Sequence, residues 1–199
     1  MVRILNNTEK GKMVDAIGSF YDLSACSQLC GNEIIIGLSK SLGAITYSDL
    51  RYTTFDKKDF RLYHEKEKLI TGVVIELLGF FRGIYVFNYG DKWIRNKKIA
   101  PSLNRILKEN KIYDDKNCVL QITEEAEIAA LVKSVLRYNT FASFFSPEKG
   151  IVLTPTDHLD IFIASKGDNS QTVKTVVENR NESGILYWRQ RVIVASEKI

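Results

Sequence analysis

The chain predicts an α+β fold, with a helix-rich mixed N-terminal part packed on a C-terminal antiparallel sheet of at least four strands. Three observations carry this reading. Apolar residues recur at helical spacing through Thr123–Tyr138. Leu69–Phe81 is apolar on nearly every side. Beyond residue 140 the pattern changes to period two between turn clusters. Helices before that change and strands after it define the class.

From the N-terminus, Thr8 is placed to cap a helix in which Met13, Ala16, Ile17 and Phe20 share one face. Glu33–Leu38 is a β-branched run behind Gly31-Asn32 and reads as a strand, and Ala44–Phe55, rich in Thr and Tyr, reads as a second strand pairing with it. Asp56–Asp59 is a charged turn. The segment Leu69–Phe81 is expected to be a buried helix, followed by a strand over Ile84–Phe87 and a turn at Tyr89-Gly90-Asp91. Pro101 suits the first turn of a helix whose stripe is Leu103, Ile106 and Leu107. Thr123 is the expected cap of the helix Thr123–Tyr138, with Glu124 and Glu125 at its positive end. Phe141–Phe145, Ile151–Thr154, Leu159–Ala164, Thr172–Glu178 and Ile185–Val194 then read as strands, joined by turns that make neighbours antiparallel.

A length of 199 residues suits one domain over 1–199, with possible halves at 1–140 and 141–199. The three cysteines, Cys26, Cys30 and Cys118, are too few and odd in number for a disulfide framework, which favours a reducing, cytoplasmic setting. The N-terminus lacks the apolar core of a signal peptide, and Leu69–Phe81 is too short to cross a bilayer, so no membrane partner is expected. The net charge of +4 does not by itself imply nucleic acid, and the excess lies in residues 1–100, with 15 Lys+Arg against 11 Asp+Glu.

Several clusters could carry function. Cys26 and Cys30 would share a face on a helix, but the only histidines, His64 and His158, form no second ligand pair, so buried thiols and no metal are expected. His158 lies between Asp157 and Asp160, a start for a base that lacks a nucleophile placed by sequence. Gly72, Glu76, Gly79 and Gly83 would form one stripe of a helix, either a groove bearing a carboxylate or the crossing point of another helix with Glu76 held by an arginine. Lys92–Lys111 carries seven basic residues, and Trp93, Arg95, Lys97 and Lys98 combine cations with an aromatic, as partner contacts often do. In the last strand, Tyr187, Arg189 and Arg191 share a face, with Leu186, Trp188, Val192 and Val194 expected to form the buried side.

No phosphate loop, dinucleotide fingerprint, zincin helix or nucleophile elbow occurs, and no cofactor is expected. Catalysis is the less favoured class for that reason. The leading expectation is a protein-binding or inhibitor-like module whose partner is another protein. A nucleic-acid binder using the same basic and aromatic residues, and an enzyme with a dispersed site, are the alternatives.

Overall fold

The computed structural model describes residues 2–23, 25–39, 46–47, 50, 56–81, 83–90, 92–112, 119–182 and 184–194. The elements in chain order are β1 (Val2–Ile4), α1 (Asn7–Gly18), β2 (Tyr21–Asp22), β3 (Ser27–Gln28), β4 (Gly31–Leu38), α2 (Lys57–Gly79), β5 (Ile84–Asn88), α3 (Pro101–Glu109), β6 (Val119–Ile122), α4 (Glu125–Leu136), β7 (Ala142–Ser146), β8 (Ile151–Pro155), β9 (Ile161–Ser165), α5 (Ser170–Arg180) and β10 (Leu186–Ile193). Eight strands form one sheet in the order β1-β6-β5-β7-β8-β9-β4-β10, every neighbouring pair antiparallel. β2 and β3 form a separate hairpin. The α+β class and the C-terminal antiparallel strands are therefore as the sequence predicts. The sheet is not confined to the C-terminal part, however: residues before 140 contribute β1, β4, β5 and β6, and β4 lies between β9 and β10.

Period-two alternation divides the strand residues between two layers. Ile34, Ile36, Val86, Leu120, Phe144, Leu153 and Ile163 point to one side, where α2, α3, α4 and α5 bury them in the larger core. Phe87, Val119, Phe145, Val152 and Ala164 point to the other side, under Ile17 of α1 and Phe20, Tyr21 and Leu23 of the hairpin. α2 runs the length of the first layer, apolar at Ile70, Val73, Val74, Leu77 and Leu78, and all five are at most 2% exposed.

Local chemistry corrects several boundaries. Asn6, not Thr8, caps α1, accepting from the Glu9 amide (2.9 Å) while Glu9 accepts from the Asn6 amide (3.0 Å). Asp56–Asp59 is the same reciprocal box at the start of α2 rather than a turn, so that helix begins twelve residues before its apolar run. Glu124 occupies the capping position of α4, and Thr123 turns its hydroxyl on the Glu124 carboxylate (3.3 Å). The expected strand Thr172–Glu178 is the helix α5. Val173, Val176 and Val177 are its buried stripe, spaced i, i+3 and i+4, and their burial overrides the β preference of valine. The expected strand Ala44–Phe55 falls almost wholly outside the described residues; within it, Tyr47 and Leu50 are helical.

Of the expected stripe, Gly72 and Glu76 lie at a helix crossing, whereas Gly79 meets nothing and Gly83 falls beyond the end of α2 in a left-handed conformation (φ 64°). A Cβ at Gly72 would meet the Arg180 guanidinium of α5 (3.1 Å), and Arg180 ion-pairs with Glu76.

Candidate functional site

The second layer of the sheet is sealed over only part of its width. Its core reaches Val152 of β8 and Ala164 of β9, and the next strands in the same rows, β4 and β10, carry Glu33, Ile35, Arg189 and Arg191. No described helix packs there. Phe162 of β9 is 38% exposed and Tyr187 of β10 is 39% exposed, with Ile35 buried between Phe162 and Arg189. This open half of the sheet is where single-sequence reasoning placed Tyr187, Arg189 and Arg191, and they do share its outer face.

Their surroundings refine that expectation. Arg191 lies opposite Glu33 in register and ion-pairs with it. Arg189 acts on Asp160 through space: the Asp160 carboxyl is pushed above the usual range by burial and pulled back by His158 and Arg189. The Tyr187 ring lies across Gly37, where a Cβ would collide with the tyrosine hydroxyl and with Asp160; a side chain at residue 37 would therefore displace the aromatic. Arg191 is thus neutralised within the molecule, whereas Arg189 makes no ion pair among the described residues.

The opposite side of β10 needs correction. Leu186 is buried and Trp188 packs on the large core, but Val192 is 68% exposed and Val194 is 81% exposed. The apolar layer ends at Trp188 because the strand then pairs with the polar start of β4, where Gln190 bonds Asn32 (3.3 Å). β10 is also a sheet edge, paired on one side only among the described residues.

The second predicted cluster separates into parts. Trp93 is 1% exposed and belongs to the large core, so its indole offers no stacking platform. Its loop is pinned by residues 139–140: Thr140 donates to the Trp93 carbonyl, and the Asn139 side chain accepts from the Arg95 (3.2 Å) and Asn96 (2.6 Å) amides. Arg95 stacks over Phe141, 4.3 Å from the ring centre, and lies 5.2 Å from that of Tyr138. Lys97 and Lys98 are exposed. Lys92, Arg95, Lys97 and Lys108 line a groove of about 270 Å³ between this loop and α3.

Cys26 and Cys30 lie at the hairpin and not on a helix. Cys26 adopts a left-handed backbone (φ 49°) that brings its thiol over the sheet. There it completes a ring of four polar groups: Cys26 Sγ to Tyr21 hydroxyl 3.2 Å, Tyr21 to Thr154 3.3 Å, Thr154 to Ser143 2.7 Å, and Ser143 back to Cys26 3.7 Å. Burial raises the Tyr21 and Tyr89 phenols, so both stay protonated and able to donate. Cys30 donates to the Ser19 carbonyl (3.5 Å). Among the described residues no group of three His, Cys, Asp or Glu is arranged to hold a metal, and no described helix is long and apolar enough to cross a membrane.

Comparison with family models, with curated proteins and with solved structures finds no match for this chain. Sequence reasoning missed Phe162, Glu33 and Gly37, which complete the open face, and singled out Asp160 only as a neighbour of His158. Only the alternation of Phe162 against Ile161 and Ile163 hinted at an outward aromatic, and nothing local could pair Glu33 with Arg191 across 158 positions.

Proposed function

We propose that the chain is a protein-binding module that takes an extended segment of its partner as a further strand alongside β10. The observation that supports this reading most is the state of β10: eight residues, without proline, at a sheet edge, with Val192 bare on one side and Tyr187 exposed on the other. Proteins usually blunt such edges, and an unprotected one is a template for strand addition.

Charge selects the partner. A second copy adding by two-fold symmetry would set Arg189 against its own counterpart, or against Arg191, in the two registers that keep most of the strand paired. Like charges directly opposite destabilise a pair. The preferred segment belongs to another protein and carries a carboxylate opposite Arg189 and an apolar residue opposite Val192, three positions away.

Selection of a displayed random-peptide library on the immobilised protein tests this. The expected result is enrichment of peptides with an acid and an apolar residue three apart. Their affinity should fall by about tenfold or more on Arg189→Glu with Val192→Lys, since one charge-assisted contact and one apolar contact are lost. The melting temperature should move by a few degrees at most, because both side chains are exposed. Peptides that bind the variant equally, or sedimentation showing a stable dimer of the free protein, would contradict the reading.

A second reading, contact with nucleic-acid phosphates, is supported by the four cations around the groove beside α3. It is weakened by the burial of Trp93. Affinity at that groove would fall linearly on a log–log plot against salt.

A further inference from the structure

We propose that the cavity between the β2–β3 hairpin and the sheet is a binding site for a small flat ring bearing N–H donors, such as an aromatic amide or amidine. The cavity has a volume of about 240 Å³ and is walled by Tyr21, Cys26, Gln28, Glu33, Tyr89 and Phe162. This site is separate from the β10 edge, and its occupancy does not depend on strand addition.

The hydrogen-bonding capacity of the walls defines the ligand. The hydroxyls of Tyr21, Thr154 and Ser143 and the Cys26 thiol bond one another in a ring. The Gln28 amide nitrogen is engaged by the Cys30 carbonyl (3.0 Å), which fixes the orientation of the amide. Its oxygen, Oε1, is buried and has no hydrogen-bond partner among the described residues. A buried acceptor without a donor is unfavourable, and natural sites leave few of them. Gln28 lines the cavity, and a small shift of its side chain would present this acceptor to a ligand, for which the matching group is an N–H.

Glu33 strengthens the choice. Its carboxylate lines the same cavity and is only 12% exposed, tied to Arg191 on one side. A carboxylate has more acceptor positions than one arginine nitrogen fills. It would favour a donor or a cation and oppose an anion. The aromatic walls, Tyr21, Tyr89 and Phe162, suit a planar ring, which they can contact by face or edge. A cavity that is mostly apolar with a few convergent polar groups has the lining of small-molecule sites, and at about 240 Å³ it suits a ligand of one ring.

Cys26 supplies the readout, since its thiol lines the cavity and is partly accessible. The experiment measures alkylation of Cys26 by iodoacetamide in the otherwise intact chain carrying Cys30→Ser and Cys118→Ser. Three probes of the same shape are compared: benzamidine, which only donates; benzamide, which donates and accepts; and benzoate, which only accepts. Benzamidine and benzamide are expected to slow alkylation in a saturable manner. Benzoate should do so only at concentrations about tenfold higher or more, the equivalent of one hydrogen bond to a charged or buried group.

Gln28→Met keeps the length of the side chain and removes the acceptor, and it should narrow the advantage of benzamide over benzoate, leaving the part due to the Glu33 carboxylate. Gln28→Glu keeps an acceptor and should widen the advantage of benzamidine. A melting curve for each variant confirms folding, and the Glu variant serves if the Met variant fails. No protection by any probe, equal protection by all three, or preferences that both Gln28 variants leave unchanged would overturn the proposal.

Discussion

Glu67→Ala is expected to lower the stability of the protein by about 3–5 kcal/mol, the usual effect of removing one partner of a buried ion pair. Glu67 is 3% exposed in the middle of α2. It receives two parallel hydrogen bonds from Arg137, Nε to Oε1 at 2.6 Å and Nη2 to Oε2 at 2.7 Å. Arg137 is the capping residue at the end of α4, and its third nitrogen donates to the Ile99 carbonyl (3.0 Å). One guanidinium thus ties α2, the end of α4 and the loop before α3. Truncation at Glu67 strands that cation, whose side chain is only 22% exposed. Urea unfolding measures the loss. Glu67→Met with Arg137→Met should recover part of it, because no charge is then left unpaired. A single-variant loss below about 1 kcal/mol, the range of exposed pairs, would show that solvent reaches the arginine freely.

Trp93→Ala is expected to destabilise by a similar amount, about 3–5 kcal/mol, as large aromatic truncations in cores do. The side chain is among the largest fully buried groups and packs in the core with Leu103, Leu107 and Ile112 on the same side of the sheet. Trp93→Phe should lose much less, since a ring remains in the space. Lys97→Glu with Lys98→Glu, two residues exposed on the same loop, should stay within about 0.5 kcal/mol of the parent for each change. A Trp93→Ala protein as stable as its parent would mean that the indole is not a core group and would restore it to the surface of the groove.

Much of the fold was legible because it rests on local periodicity. α4 carries Ile128, Leu131, Val132 and Val135 on one face, and β7, β8 and β9 alternate in step with the sheet. α5 was not legible as a helix: its valines score as strand formers, and what decides their conformation is a stripe buried against α2, a tertiary fact. The start of α2 was hidden for a related reason, since its first turns are charged and only the Asp56–Asp59 cap marks them.

For the candidate site, the sequence showed which side chains share the outer face of β10, because alternation along one strand is local. It could not show that Arg191 is neutralised by Glu33, that the apolar layer stops after Trp188, or that β10 lies at an edge. Those properties follow from β4 being inserted between β9 and β10, which places residues 31–38 beside residues 186–193. Trp93 shows the same limit in reverse, since a tryptophan among cations reads as exposed until its loop is seen turned inward by Asn139 and Thr140.

The most direct measurement is amide hydrogen exchange along Leu186–Ile193, with and without a selected acid-bearing peptide. In the free protein, alternate amides of β10 point away from β4 and have no partner strand among the described residues, so they should exchange faster than their neighbours. Added peptide should slow those alternate amides selectively, leaving the loop from Lys92 to Lys98 unchanged. Protection confined to that loop and α3, with β10 exchanging as before, would contradict strand addition and place the binding surface at the basic groove.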